Sequence, residues 1–528
     1  MSNHAYESAA ALRPSSNGPI PISTLCERFS LAPASAEDAA ALNDLSILGV
    51  SVDSADTAPG ELFVGLPGFT VHGARFAAEA VASGAVAVLT DSDGAQIVHE
   101  SAPGIPVLVH GDPRAIVGPL SAEAYHHPAR GLITTAVTGT NGKTTTSYFL
   151  DAILSAHVGG CMVAGTVELR VGERSVESPR TTVEAPVLQR MMALAVEDKV
   201  GAASLEASSH AIVLHRLDGI VVDVAGFTNL QRDHLDFHKT MEGYLEAKAQ
   251  LFTPEHARRG VVCVDDQWGA TLAAEAPIEI DRVRAYPGDT PADWWVSDAA
   301  VSLTDSATTF TLHGPDGEKI EASCPLPGLV NVQNAALALV MAIRAGVPAA
   351  TAATALAGAH NIPGRMQRIS QRDGRRGLCI VDFAHTPDAM ELALKAVRPI
   401  TPGRLIVVFG SDGDRDQGKR PMLGEVCARL ADVLVVTDEN PRSEDPQLIR
   451  NAILEGVRGV RPDLTDVEEI TTWRGDAVRR GVELCGPDDT VIVTGKGHEP
   501  FLEMAGEFIR YNDAPVMAEA VEKKWGRA

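Results

Sequence analysis

The chain has 528 residues, 45% hydrophobic and 22% charged, with a formal net charge of −24. That length holds three or four domains with cores of their own, so no disulfide or structural metal is needed to keep it folded. So acidic a chain argues against nucleic acid and anionic membranes as partners, and an anionic ligand would need a local basic or amide-lined site. Seven scattered cysteines (Cys26, Cys161, Cys263, Cys324, Cys379, Cys427, Cys485) contain no Cys-x-x-Cys, which excludes the common zinc-ribbon and redox spacings and suits a reducing cytoplasm. No apolar run approaches the roughly 18 residues of an integral membrane segment. Met1 to Pro19 is polar, has no apolar signal core and reads as a short loose leader on a cytoplasmic protein.

Strand-like and helix-like segments alternate along the chain, the pattern of an α/β fold. An Ala-rich helix is predicted over 74–83, followed after Gly84 by a strand over 85–90. A β-rich run over 132–137 stops at Thr138-Gly139. Leu188, Met191, Met192, Ala195 and Val196 recur at helical spacing within 187–199. The apolar runs 405–409, 433–437 and 490–494 end in Gly or polar clusters, as buried parallel strands do. Turn chemistry near 110–113 and 361–364 divides the chain into domains 1–113, 114–363 and 364–528. No solenoid or propeller repeat is present. Ligands of parallel sheets collect at the carboxyl ends of strands, so the residues after each run carry the chemistry.

After the 132–137 run comes Thr138-Gly139-Thr140-Asn141-Gly142-Lys143-Thr144-Thr145-Thr146, then a helix. Glycines let backbone amides turn toward phosphate oxygens, and the helix N-terminus adds partial positive charge. Lys143 can reach the outer phosphates and the Thr144 hydroxyl can hold Mg2+. No Asn-Lys-x-Asp guanine signature follows, which favours ATP over GTP. The strand-like 202–205 run ends at Glu206, a carboxylate placed to bind Mg2+ directly or through water, or else a buried, paired strand-end acid. Downstream lie Asn229 to His238, and Lys248 within a helix over 241–252. Alone, Lys248 would be an ordinary solvated lysine and the His-Leu-Asp run structural.

In order along the chain, the loop 138–145, the segment Glu206–His210, Asn229 to His238, Ala247-Lys248, Gly328 to Asn331 with Asn334, Pro363-Gly364-Arg365 and Asp382 to Asp388 resemble the Mur ligase family of ATP-dependent amide-bond formers. The resemblance implies three domains: an N-terminal UDP-sugar-binding α/β domain, a central P-loop ATPase-like domain with a mostly parallel sheet, and a C-terminal Rossmann-like domain. Within the family the chain is similar to the member that adds the third stem-peptide residue to UDP-N-acetylmuramoyl-L-alanyl-D-glutamate in peptidoglycan biosynthesis. The family's chemistry is phosphorylation of the substrate carboxylate to an acyl phosphate, attack by the incoming amine, and loss of phosphate. The enzyme is expected to work as a monomer on small molecules.

By the same resemblance, Gly139, Thr140, Asn141, Gly142, Lys143, Thr144 and Thr145 would bind ATP, with Asn229, Asn334, Arg365, Asp382 and His385. Arg365 and His385 come from near or beyond the domain junction, so closure would complete the site. The catalytic set would be Lys143, Glu206, His234 and Lys248, the metal set Thr144, Glu206, His234 and Lys248 as a carbamate. Val52, Ser54, Thr181, Thr182, Ser208 and Arg216 would contact the UDP-sugar-dipeptide. Phe69-Thr70-Val71, Leu214 and Arg180 depart from the family's usual residues on that side, and Phe383 replaces a frequent Tyr. The incoming amino acid would meet Arg415, Glu439, Asn440, Pro441, Arg442, Gly495 and Glu499. Arg442 suits the extra carboxylate of meso-diaminopimelate and would repel a lysine ammonium. Glu439 stands where an Asp is usual, which keeps L-lysine as the alternative. Arg442 in an ion pair with Glu444 or Asp445 is the purely structural reading. A folylpolyglutamate synthase shares the central loop but lacks the UDP-binding domain and the Asn-Pro-Arg element. A non-catalytic Mur-like nucleotide-binding protein is a further alternative, against which the intact Lys143, Glu206, His234 and Lys248 argue.

Overall fold

A computed structural model describes residues 9–302, 307–359 and 361–526. Two compact units result. One holds the residues up to Trp295 with Gly314–Asp316 and Ala336–Ala355; the other holds Val296–His313, Gly317–Ala335 and the residues from Leu356 on.

The first unit opens with a five-stranded sheet of β1 (Ala32–Pro33), β2 (Gly49–Ser51), β3 (Glu61–Val64), β4 (Ala87–Thr90) and β5 (Val107–Val109), in the order β1-β5-β4-β3-β2. Strands β2 to β5 are parallel. Leu62, Val64, Leu89 and Leu108 fill one core while Phe63, Val88 and Val107 fill another. The two-residue alternation thus buries both faces, which is why these strands read as unbroken apolar runs. The helix predicted over 74–83 starts as a 3-10 turn over Gly73–Phe76 and is α-helical only over Ala77–Ala82.

Further along lie β6 (Ile133–Thr138), α1 (Lys143–Val158), β7 (Cys161–Ala164), β8 (Glu168–Val171), β9 (Arg174–Glu177), α2 (Ala185–Glu197), β10 (Ala202–Glu206), β11 (Val222–Phe227), α3 (Met241–Ala249), β12 (Ala257–Cys263) and β13 (Glu279–Arg284). The strands run β9-β8-β7-β10-β6-β11-β12-β13. From β7 to β13 they are parallel, and β8 and β9 add an antiparallel edge. Register matters most at the carboxyl ends: Glu206 pairs with Val137 and Phe227 with Thr138. Three strands therefore finish at one level and release their loops side by side.

The N-terminal segment departs from the loose leader expected. Leu12 is fully buried, and Arg190 of α2 donates to the Ala9 and Leu12 carbonyls. Arg13 pairs with Asp56 and Glu61. Polarity hid this because the anchoring cations are met by carboxylates more than forty residues away. Residues 1–8 lie outside the described residues.

In the second unit, β14 (Thr308–His313) and β15 (Lys319–Cys324) form an antiparallel hairpin. A six-stranded sheet follows, of β16 (Gln367–Ser370), β17 (Leu378–Val381), β18 (Leu405–Phe409), β19 (Val433–Val436), β20 (Val467–Glu469) and β21 (Thr490–Val493), in the order β16-β17-β21-β18-β19-β20. It is parallel except at β16. The short hairpin β22 (Phe501–Met504) and β23 (Glu507–Arg510), with helices α4 (Arg474–Leu484) and α5 (Asp513–Trp525), completes the unit. Among the described residues no helix is long and apolar enough to cross a membrane.

Candidate active site

The loop between β6 and α1 turns on two glycines in the left-handed range, Gly139 (φ 144°) and Gly142 (φ 90°). A Cβ on Gly139 would lie 1.8 Å from the Thr228 hydroxyl, so only glycine fits. The loop after β11 braces it: Asn141 N–H donates to Asn229 Oδ1 (3.1 Å), Thr140 N–H to the Asn229 carbonyl (2.9 Å) and the Thr228 hydroxyl to the Asn141 carbonyl (2.6 Å). Gln231, from the same Asn229–His238 segment, accepts from Asn141 Nδ2 at 2.7 Å. Lys143 Nζ folds back onto the Gly139 and Thr140 carbonyls (3.0 and 2.9 Å). Thr144 and Thr145 sit buried in the first turn of α1, at the positive end of its dipole.

Glu206 is buried at the end of β10 and accepts from the Thr144 hydroxyl (3.0 Å), the Thr166 hydroxyl (2.9 Å) and the Thr166 N–H (2.8 Å). Those donors are neutral, so its charge is hydrogen-bonded but not offset by a bonded cation. An anionic carboxylate beside a threonine hydroxyl suits a hard, oxygen-preferring cation such as Mg2+. Thr166 was invisible as a partner because it lies 40 residues from Glu206. Among the described residues no three His, Cys, Asp or Glu form a metal-binding group.

Lys248 is not the solvated helix lysine that its sequence position suggests. It is 1% exposed, donates to the Gly139 carbonyl at 2.7 Å, and lies 4.5 Å from the Tyr244 ring centroid. Two lysines thus converge on one loop carbonyl. Burial, and then Lys143, push the Lys248 ammonium well below the usual lysine range. His234 follows Asp233 in a left-handed turn (φ 52°), its ring 4.9 Å from that of His210. Burial, with Lys143 and Lys248 nearby, lowers its pKa and favours the neutral, metal-ligating imidazole. His238 stacks on Tyr244 (4.9 Å), whose hydroxyl reaches Thr140 Oγ1 at 3.4 Å.

The expected sugar-dipeptide residues cluster beside Glu206. Thr182 Oγ1 donates to the Glu206 carbonyl (2.7 Å) and accepts from Ser208 N–H (3.0 Å). Arg216 donates to the Thr182 carbonyl (3.1 Å) and pairs with Glu184 (2.9 Å), and Thr181 Oγ1 accepts from Thr166 Oγ1 (3.2 Å). Elsewhere, Val52 packs against a core of the N-terminal sheet and Ser54 donates to Glu79 (3.0 Å). Phe69 is 88% exposed.

In the second unit, Arg365 lies 4.3 Å over the Phe383 ring. Asp382 accepts from the Met366 and Ala384 amides (2.7 and 2.9 Å), with burial raising its pKa. His385 Nδ1 lies 2.9 Å from the Phe383 carbonyl, and Lys419 donates to the His385 carbonyl. Asn334 is 2% exposed and its Oδ1 has no hydrogen-bond partner among the described residues, the kind of orphan a ligand donor would satisfy.

The ends of β18, β19 and β21 build a polar pocket. Lys496, fully buried, donates to Asn440 Oδ1 (2.8 Å), Glu499 Oε2 (3.0 Å) and the Phe501 carbonyl (2.6 Å). Asn440 Nδ2 donates to Asp412 (3.2 Å) and Glu499 (3.1 Å). A Cβ on Gly413 would lie 1.9 Å from the Pro441 carbonyl oxygen, so that turn is close-packed. At Gly495 (φ 108°) a Cβ would come within 2.4 Å of Glu439 Oε2. The ion pair of Arg442 with Glu444 or Asp445 is not formed: Glu444 bonds Arg420, and Asp445 caps the helix starting at Pro446. Instead its buried Nε faces Glu503 Oε2 at 3.8 Å and has no hydrogen-bond partner among the described residues. Arg415 stays exposed and makes no ion pair among the described residues.

Burial, then Asp412, push the Glu439 carboxyl up to about 8. A carboxyl raised in the folded state stabilises fully below its unfolded value near 4.5 and loses that contribution as pH rises toward 8. Glu439→Gln should therefore flatten the fall in melting temperature between those pH values, removing on the order of 5 kcal/mol of pH dependence. Parallel melting curves for the two proteins from pH 5 to 8.5 would refute it.

The sequence matches three family profiles in chain order: Mur ligase family, catalytic domain, over residues 46–116; Mur ligase middle domain over 137–342; and Mur ligase, glutamate ligase domain, over 364–497. The UDP-N-acetylmuramoyl-L-alanyl-D-glutamate--2,6-diaminopimelate ligase of Streptomyces coelicolor is 43% identical over 480 residues, covering 91% of this chain and 93% of its own. The UDP-N-acetylmuramyl-tripeptide synthetase of Leifsonia xyli is 42% identical over 508 residues, covering 95% and 96%. A solved structure of a UDP-N-acetylmuramoyl-L-alanyl-D-glutamate--2,6-diaminopimelate ligase matches with a TM-score of 0.64 at 32% identity, over 91% of this chain and 95% of that one. With three profiles in order and relatives of this identity along nine-tenths of its length, the chain belongs to the Mur ligase family of ATP-dependent amide-bond-forming enzymes.

Proposed function

We propose that this ligase joins meso-2,6-diaminopimelate to UDP-N-acetylmuramoyl-L-alanyl-D-glutamate, with ATP and Mg2+, in peptidoglycan biosynthesis in the cytoplasm. The observation that carries its catalytic part is the convergence of Lys143 and buried Lys248 on Gly139 beside the Thr144–Glu206 pair. The 43% identity to a relative named for this reaction supports the substrate.

The loop amides and Lys143 would hold the ATP phosphates and offset charge as the γ-phosphoryl group passes to the substrate carboxylate. Thr144, Glu206, His234 and Lys248 as a carbamate would hold Mg2+, which supplies Lewis-acid stabilisation of the phosphate oxygens when bound. Thr181, Thr182, Ser208 and Arg216 would orient the dipeptide end. Ser54 and Val52 would meet the uridine end, and Asn229, Asn334, Arg365, Asp382 and His385 the nucleotide. The incoming amine would then attack the acyl phosphate, forming the C–N bond as phosphate leaves and the amine loses a proton.

For the incoming amino acid, Arg442, held to Glu503 only by a long 3.8 Å ion pair, would take the distal carboxylate. Asn440 and Glu499, with Glu439 ionising once an ammonium arrives, would take the cationic end. Pro441 and Gly495 would shape the walls, and Arg415 would have to move inward from solvent. Phosphate release should depend on diaminopimelate and not occur with L-lysine. Arg442→Ala should raise the KM for diaminopimelate by about 10²-fold. Release with L-lysine alone would keep the ligase and reassign the amino acid; release with neither would overturn the reading.

A further inference from the structure

We propose that Arg474 is a positioning residue that sets the width of the amino-acid pocket, an inference that rests on the reading of that pocket given above. Arg474 is the first residue of α4 and its side chain is completely buried. Its guanidinium does two jobs at once. On one side it forms a two-pronged pair with Asp513, Nε to Oδ1 at 2.9 Å and Nη2 to Oδ2 at 2.7 Å. Tyr511 steadies that carboxylate by donating to Oδ1 at 2.8 Å. On the other side Nη1 donates to the Asp438 carbonyl at 2.9 Å and Nη2 to the Thr494 carbonyl at 2.8 Å.

Those carbonyls immediately precede the two halves of the pocket. Asp438 leads into Glu439 and Asn440 after β19; Thr494 leads into Gly495 and Lys496 after β21. The two strands are not neighbours, because β18 lies between them. Their ends are tied only through β18, Thr437 N–H to the Phe409 carbonyl and Thr494 N–H to the Val408 carbonyl, whereas the one rigid cation bridges Asp438 and Thr494 directly. Only arginine carries five donors in a fixed plane; a lysine ammonium cannot serve a carboxylate and two divergent carbonyls together. The same cation lies close enough to Glu439 to favour its charged form against the burial that opposes it.

The test is steady-state phosphate release by the full-length enzyme, with KM measured separately for ATP, UDP-N-acetylmuramoyl-L-alanyl-D-glutamate and diaminopimelate. Wild type comes first: absence of amino-acid-dependent release would sink the pocket reading itself. Given that release, Arg474→Lys should raise the KM for diaminopimelate about tenfold while the other two stay within about twofold. Tyr511→Phe, which keeps both charges and loosens Asp513, should move the same KM in the same direction by about threefold, and it decides the matter if Arg474→Lys does not fold. Equal changes in all three constants, or a lower melting temperature with all three unchanged, would make Arg474 a stability element only and leave the pocket reading standing.

Discussion

Replacing Lys143 by alanine is expected to cut ATP turnover by about 10³-fold or more while the protein stays folded. The side chain lies on a loop whose shape is held by other atoms: the glycines at 139 and 142, and the Thr228, Asn229 and Gln231 contacts. Two of its bonds go to loop carbonyls, and the side chain is only partly buried, so its loss leaves no cavity in a core. What disappears is the mobile cation able to follow charge onto the γ-phosphate. Lys143→Arg should recover little, because a planar fork replaces a compact ammonium in a tight loop. Single-turnover phosphate release alongside a melting curve separates chemistry from folding. Near-normal turnover would overturn the phosphate-loop assignment.

The second large effect is expected at Lys248. Burial, with a second lysine close by, pushes this amine well below the usual lysine range, toward the neutral form that adds to carbon dioxide. In the proposed carbamate its nitrogen would form the N–C bond, one C=O pair of the carbon dioxide would become the carbamate oxygen's charge, and one proton would leave to water. The remaining N–H can keep the bond to Gly139. Lys248→Ala should lower turnover by about 10² to 10³-fold, with partial recovery in acetate or formate, which supply a carboxylate in the vacated space. Wild-type enzyme depleted of carbon dioxide should lose activity and regain it with bicarbonate. A free amine by intact mass under active conditions would sink the carbamate.

Much of the fold was legible because its signals are local. Unbroken apolar runs ending in glycine or polar clusters marked β18, β19 and β21 to within a residue, since both faces of a parallel sheet are covered. The helix over 187–199 was placed two residues late, because Pro186 is tolerated in a first turn and its apolar neighbours carry no boundary signal. Polarity misled at residues 9–18, where ion pairs to distant acids anchor the segment.

Sequence alone determined the α/β class, the phosphate loop and the order of the motifs, because each depends on residues adjacent in the chain. It could not decide which groups meet across the sheet. Lys248 looked like a surface lysine until the fold carried α3 over Gly139. Thr166 acquired its role only when it came beside Glu206. Glu439 became a nearly neutral carboxyl only through burial beside Asp412. Arg442 turned from its charged sequence neighbours to face Glu503. Burial and through-space charge set protonation and pairing, and both are properties of the packed structure, not of spacing along the chain.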